Sequence, residues 1–211
     1  MDAVGYFQSG EAHFQNGRYD KAIADLTSAV KLDPNNARAF CLRGIVHERM
    51  QKIDEAVADY GQAIKLKPDY VSAYCNRANL YRGMGIAASA IADYESALRI
   101  DQNNGTALFG RGTANAEMGN TDKAIADLTR YVDLNPRGAP DRDAENVSVA
   151  LSARGMAHAQ KGDKDKAVKD FADALSEDNG NANAKYFHKA ASDIPSGSDF
   201  AARFLEKLKQ M

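Results

Sequence analysis

Three histidines, two cysteines and a regular set of arginines and aspartates are the side chains in this 211-residue chain best suited to chemistry. His13, His47 and His158 could ligate a metal, and Cys41 and Cys75 could act as ligands, nucleophiles or a disulfide. Arg43, Arg77, Arg111 and Arg154, with Asp25, Asp59, Asp93, Asp127 and Asp170, could hold one another in bidentate pairs. Each set recurs at one sequence period, and that regularity argues against catalysis. Equivalent residues of stacked helical repeats lie on layers about 10 Å apart. Such layers are too distant for the histidines to share a zinc ion or for the cysteines to form a disulfide. No metal site and no cofactor are therefore expected. The sequence carries no Gly-rich phosphate loop, no Gly-x-Ser-x-Gly and no His-Glu-x-x-His. An open repeat surface also gives its carboxylates no dry pocket in which a pKa rises for acid–base work. The chain is expected not to be an enzyme.

Charge narrows the partner classes further. Lys and Arg total 27 against 29 Asp and Glu, a formal net charge of -2, and the two signs are mixed along the chain. Nucleic-acid binding needs a basic stripe to replace counterions on phosphates, so it is not expected. No run of about 18 apolar residues occurs, so neither is a membrane span. Met1-Asp2-Ala3-Val4 lacks a basic segment followed by an apolar run. The default compartment is the cytoplasm, with an exported form that has lost its leader left open.

The period itself organises the whole chain. Gly10, Gly44, Ala78 and Gly112 are each 34 residues apart, as are Ala22, Ala56, Ala90 and Ala124. Pro34 and Pro68 keep the same step, and Ala-Ile-Ala-Asp-Leu occurs at both 22–26 and 124–128. Gly155 and Ala167 follow Gly112 and Ala124 by 43, which places a fifth repeat behind a nine-residue insertion. The repeats are then 3–36, 37–70, 71–104, 105–138 and 148–181, with the insertion at 139–147 and C-terminal helices over 182–211, all in one domain spanning 1–211. Within 37–70, Phe40, Gly44, His47 and Met50 make one helical stripe and Ile53, Ala56, Val57, Tyr60, Ala63 and Ile64 another. Pro68 stops the second helix. Gly44 and Ala56 are small where the two backbones are expected to approach.

This pattern of aromatic, small residue, alanine, aromatic or leucine, alanine and proline resembles the tetratricopeptide repeat. The resemblance implies an all-α, right-handed superhelical solenoid of antiparallel helix pairs. It departs from the family at Gln102 and Asn179, which replace the closing proline, and at the position before the small residue, where Ser9 and the arginines replace leucine. The resemblance also implies that first helices line a concave groove for a peptide or protein. Carried over, the groove positions of greatest interest are Arg38, Cys41, Ile45, Asn76, Asn79, Arg82, Phe109 and Thr113, with Cys75 beside them and Val149, Ser152 and Met156 in the fifth repeat. Co-chaperones of the family grip acidic chaperone tails through lysine, arginine and asparagine at set positions. No alignment of those positions supplies the cations here, so that role is not expected.

The arginine and aspartate sets admit two pairings. Because the first repeat has Ser9 in place of arginine, pairing each arginine with the preceding repeat's aspartate leaves Asp25 a partner in Arg43. The expected ladder is therefore Arg43–Asp25, Arg77–Asp59, Arg111–Asp93 and Arg154–Asp127, with Asp170 left to His188. Asp141 or Asp143 is expected to cap a lengthened helix over about 143–161. Ser198 or Asp199 is expected to cap a last helix with an apolar stripe of Phe200, Phe204, Leu205 and Leu208. That helix reads as an end cap for the stack. The expected function is a protein-interaction scaffold. The alternative is a structural protein that self-assembles into a homo-oligomer through its ends or tail helix.

Overall fold

In the computed structural model, residues 1–139, 142–195, 197 and 199–209 are described, and among them there are twelve α-helices and no strand. They fall into two compact units, Met1–Gln102 and Asn103–Met211, where the sequence suggested one domain. Elements of a repeat array contact mainly their neighbours, so such a chain has no single centre. The first unit holds α1 (Ala3–Gln15), α2 (Tyr19–Leu32), α3 (Ala37–Arg49), α4 (Ile53–Leu66), α5 (Val71–Gly83) and α6 (Ala87–Ile100). The second holds α7 (Gly105–Glu117), α8 (Thr121–Leu134), α9 (Ala144–Gln160), α10 (Lys164–Glu177), α11 (Ala182–Ser192) and α12 (Phe200–Leu208).

Local chemistry explains where the helices begin and turn. Five first helices open on an Asp or Asn whose side chain accepts a free backbone N–H, while α5 opens on Tyr70 without a side-chain cap. Asp2 caps α1, Asn36 α3, Asn104 α7, Asp143 α9 and Asn181 α11, at 2.8–3.1 Å. The turn within each hairpin needs one left-handed residue, which is Gly85 (φ 75°) in the third repeat but Gln51 (φ 60°) in the second. Pro34 and Pro68 follow α2 and α4 by two residues and prevent their continuation.

Four hairpins are closed by a glycine against a large residue sixteen positions later. A Cβ on Gly44 would lie 2.8 Å from Cε1 of Tyr60, and one on Gly112 would lie 2.8 Å from Cγ of Leu128. The same holds for Gly10 against Leu26 and Gly155 against Phe171. Gly44 is thus small to admit the Tyr60 ring, while Ala56 is buried in its own right.

In the second unit α9 is lengthened to 17 residues and capped by Asp143. Asp141, the other expected cap, lies outside the described residues, as do Pro140 and Ser198. The chain before α9 is strapped to α10. Glu177, its side chain 6% exposed, accepts from Arg137 Nε at 2.6 Å and from Arg142 Nη1. Arg142 Nε also donates to the Asn135 carbonyl at 2.9 Å.

The tail stripe is used within the chain. Phe200 and Phe204 are buried in a core with Ala159, Ala167, Phe171, Ala190, Ala191 and Ile194, and Leu208 packs against it. Leu205 differs from expectation: at 36% exposure it belongs to the outward side of α12.

Candidate binding site

The Arg–Asp sets brace each hairpin internally. Arg43 donates from Nε and Nη2 to both carboxylate oxygens of Asp59, at 2.8 and 2.7 Å. The same fork joins Arg77 to Asp93, Arg111 to Asp127 and Arg154 to Asp170. The expected ladder between repeats is therefore wrong, and Asp170 takes Arg154 and not His188. The reason lies in where the two helices of one hairpin approach. A Cβ on Gly112 would lie 3.2 Å from Cβ of Asp127, so the aspartate stands at the close approach of its own hairpin, within reach of the arginine beside the glycine. In the first repeat, which lacks arginine, Ser9 Oγ donates to Asp25 at 2.6 Å. A weaker tie to the preceding repeat does exist, because Arg43 Nη1 donates to Thr27 at 3.3 Å and Arg154 Nη1 to Thr129 at 3.2 Å.

The histidines stand beside these pairs. His13, His47 and His158 place Nε2 at 3.8, 3.8 and 4.0 Å from Asp25, Asp59 and Asp170 of their own repeats. Burial holds the His47 and His158 pKa values below the ordinary range, against the pull of those carboxylates.

The expected groove residues separate into two kinds. Cys41 is 3% exposed and Thr113 7% exposed, so neither lines an accessible surface. Small side chains at these positions sink between packed helices. The Thr113 hydroxyl turns back to the Phe109 carbonyl at 2.9 Å. Cys75 is buried as well, and burial first, with Asp101 and Asp93, pushes its thiol up to about 11, which keeps it protonated and unreactive. In the first unit Arg38 and Asn79 are exposed, and Ile45, Asn76 and Arg82 are half-buried. The Arg38 guanidinium lies over the Phe7 ring, 5.3 Å from its centroid. In the second unit Phe109 is half-buried, its ring 5.2 Å from that of Tyr131.

A feature that spacing alone missed concerns two buried tyrosines. The Tyr60 hydroxyl donates to Glu48 Oε2 at 2.8 Å, and the Tyr94 hydroxyl donates to Asn79 Oδ1 at 2.5 Å. Both rings are fully buried in second helices, yet their oxygens reach the first helices and fix polar groups there. The equivalent residues of the other repeats are Leu26, Leu128 and Phe171, which have no hydroxyl. That difference was visible in the sequence.

Repeated antiparallel hairpins, four of them braced by an Arg–Asp fork and the first by a Ser–Asp hydrogen bond, define an all-α helical-repeat protein. Family models agree: one described as TPR repeat matches residues 10–51 and 49–85, and two described as tetratricopeptide repeat match 75–139 and 149–181. The chain belongs to the tetratricopeptide repeat family. The gap between the last two matches contains most of the insertion. No curated protein matches the sequence.

Among solved structures, YrrB, described as a TPR protein with an unusual peptide-binding site, is 19% identical with a TM-score of 0.76, over 89% of this chain and 92% of its own. The MamA protein is 23% identical with a TM-score of 0.73, over 85% and 93%. A tetratricopeptide repeat protein from Parabacteroides merdae is 18% identical with a TM-score of 0.74, over 99% and 79%. These likenesses establish the fold. Among the described residues no helix is long and apolar enough to cross a membrane.

Proposed function

We propose that this chain is a non-catalytic interaction scaffold that binds a peptide or protein segment on the face of its first helices, with Arg38, Ile45, Asn76, Asn79 and Arg82 as the accessible part of that face in the first unit. The observation that carries the reading is Asn79. Its carbonyl oxygen is held by Tyr94, so its amide nitrogen, which can donate twice, has no partner among the described residues and sits on an exposed side chain. A fixed asparagine donor is the group that grips a peptide carbonyl, and a neighbouring apolar residue such as Ile45 then accepts a side chain. YrrB, a fold relative described as having an unusual peptide-binding site, supports peptide binding as a use of this fold. Phe109 belongs to the reading with less area to offer, because its ring already rests on Tyr131.

Peptides selected from a displayed library against the full chain test this reading. Selected peptides are expected to lose about tenfold or more in affinity on Asn79→Ala combined with Arg38→Ala, which corresponds to about 1.4 kcal/mol. Equal binding to wild type and variant removes the face assignment. Tyr94→Phe is expected to weaken the same peptides while leaving the ring in place.

A further inference from the structure

Helix α12 lies where a ligand of the first-helix face would lie. Met156, an expected groove residue of α9, packs with Ala159 against the core that contains Phe200 and Phe204. One period further on, Ala190 stands in the position of Met156 and belongs to the same core. Tyr186, one period after Ser152, donates its hydroxyl to the Lys207 carbonyl at 3.2 Å. Asp193, one period after Ala159, pairs with Lys207 Nζ at 3.0 Å. One crossing helix thus meets Met156 and Ala159 of α9 and, one period on, Ala190 of α11 and Asp193 at its end.

The manner of seating matches a bound helix and not the missing half of a hairpin. A second helix would continue the repeat by running back along α11, whereas α12 reaches α9 and α10 as well. Phe204 stacks on Phe171 with centroids 6.2 Å apart, and Phe200 lies 5.8 Å from Phe204. Phe200, Phe204 and Leu208 face inward one turn apart, while Ala202, Arg203, Leu205 and Glu206 are exposed. At nine residues α12 is too short to be a stable helix when undocked. A longer helix with the same inward pattern buries more surface on the same positions.

We propose that the α9–α11 face is a docking site for an amphipathic helix of a partner protein, and that α12 occupies it in cis until that helix replaces it. The occupant is specified by what α12 already shows: aromatic residues at i and i+4, an aliphatic residue at i+8, and a basic residue at i+7 that reaches Asp193. This rests on the first-helix face being the binding surface, but it concerns residues that the Asn79 and Arg38 variants do not touch, so the two readings fail separately.

The test uses the full chain and a fluorescent synthetic peptide with the sequence of residues 199–209. Phe204→Asp releases α12 and leaves α9 and α11 unaltered. Because apparent affinity scales with the fraction of sites that are open, the variant is expected to bind the peptide about tenfold or more tightly than wild type. A peptide carrying the same Phe204→Asp change is expected not to bind either chain. Equal peptide affinity for variant and wild type, with helicity retained, overturns the proposal.

If Phe204→Asp fails to fold, hydrogen exchange on the wild-type chain decides. Amides of α12 exchanging about 100-fold or more faster than those of α9 and α10 mark a displaceable occupant. Equal protection makes α12 a fixed structural cap and overturns the proposal. A wild-type dimer in light scattering that Phe204→Asp abolishes identifies the occupant as a second copy's α12, which overturns the assignment to a partner.

Discussion

Arg77 grips Asp93 across the α5–α6 hairpin through two parallel bonds, Nε to Oδ2 at 2.7 Å and Nη2 to Oδ1 at 2.8 Å. The Asp93 side chain is 9% exposed, so removing the cation strands a buried negative charge. Arg77→Ala is expected to lower unfolding free energy by about 3 kcal/mol, and Arg77→Ala with Asp93→Ala by clearly less, because the double variant leaves no orphaned charge. Urea unfolding of wild type, Arg77→Ala, Asp93→Ala and the double variant measures this. A double variant as unstable as the sum of both single ones would show that the two groups act independently.

Stability should depend on pH near neutrality through His47 and His158. Burial is the leading cause that holds both below the ordinary 6.5, with Asp59 and Asp170 pulling the other way. A histidine depressed in the folded state takes up its proton first in the unfolded chain. Its contribution is therefore complete above the unfolded value of 6.5 and is lost as pH falls toward the folded value. Urea midpoints are expected to fall between about pH 7.5 and about pH 5.5, and to fall less in a His47→Gln, His158→Gln variant. Parallel pH profiles for the two chains would contradict the assignment.

Gln51 holds φ 60° at a hairpin turn where the third repeat uses Gly85. A left-handed conformation costs a residue with a Cβ about 1 kcal/mol. Gln51→Gly is expected to recover most of that, a rise in melting temperature of roughly 2–4 °C for a chain of this size. Calorimetry checks it, and an unchanged or lower melting temperature counts against strain at this turn.

Glu177 fastens the chain before α9. Its carboxyl sits below the ordinary 4.5, chiefly through the hydrogen bond from Arg142, opposed by burial and aided by Arg137. Such a group stabilises the fold above pH 4.5, and the contribution disappears as pH drops through its folded value. Glu177→Gln is expected to cost about 1–2 kcal/mol. Trypsin should then cut after Arg137 and Arg142 faster than in wild type, as mass spectrometry would show. Unchanged cleavage at both sites would mean that the strap does not depend on this carboxylate.

Much of this architecture was legible because it is periodic. The step from Gly10 to Gly44 to Ala78 to Gly112 gave the helix pairs, and the step of 43 to Gly155 located the insertion. What the period could not give was direction across a hairpin. Arg43 has one aspartate eighteen residues before it and another sixteen after, and a list of equivalent positions treats both alike. Only the folded hairpin decides, because the close approach of its two helices brings Asp59, and not Asp25, within reach of the Arg43 guanidinium. Ser9 misled for a related reason: it does not mark a missing pair but replaces the arginine with a short hydroxyl. The proposed face was read less well, since Cys41 and Thr113 share the spacing of the expected groove residues but are buried. Tyr60 fits an apolar stripe by its ring alone, which hid the work done by its hydroxyl oxygen.

Keeping each cation and its carboxylate inside a single hairpin makes the hairpins interchangeable. A genetic event that duplicates or drops one whole 34-residue block moves both members of the pair together. Neither half of such a pair is left behind in the neighbouring block, so lineages can lengthen or shorten the array while every surviving Arg–Asp pair stays intact.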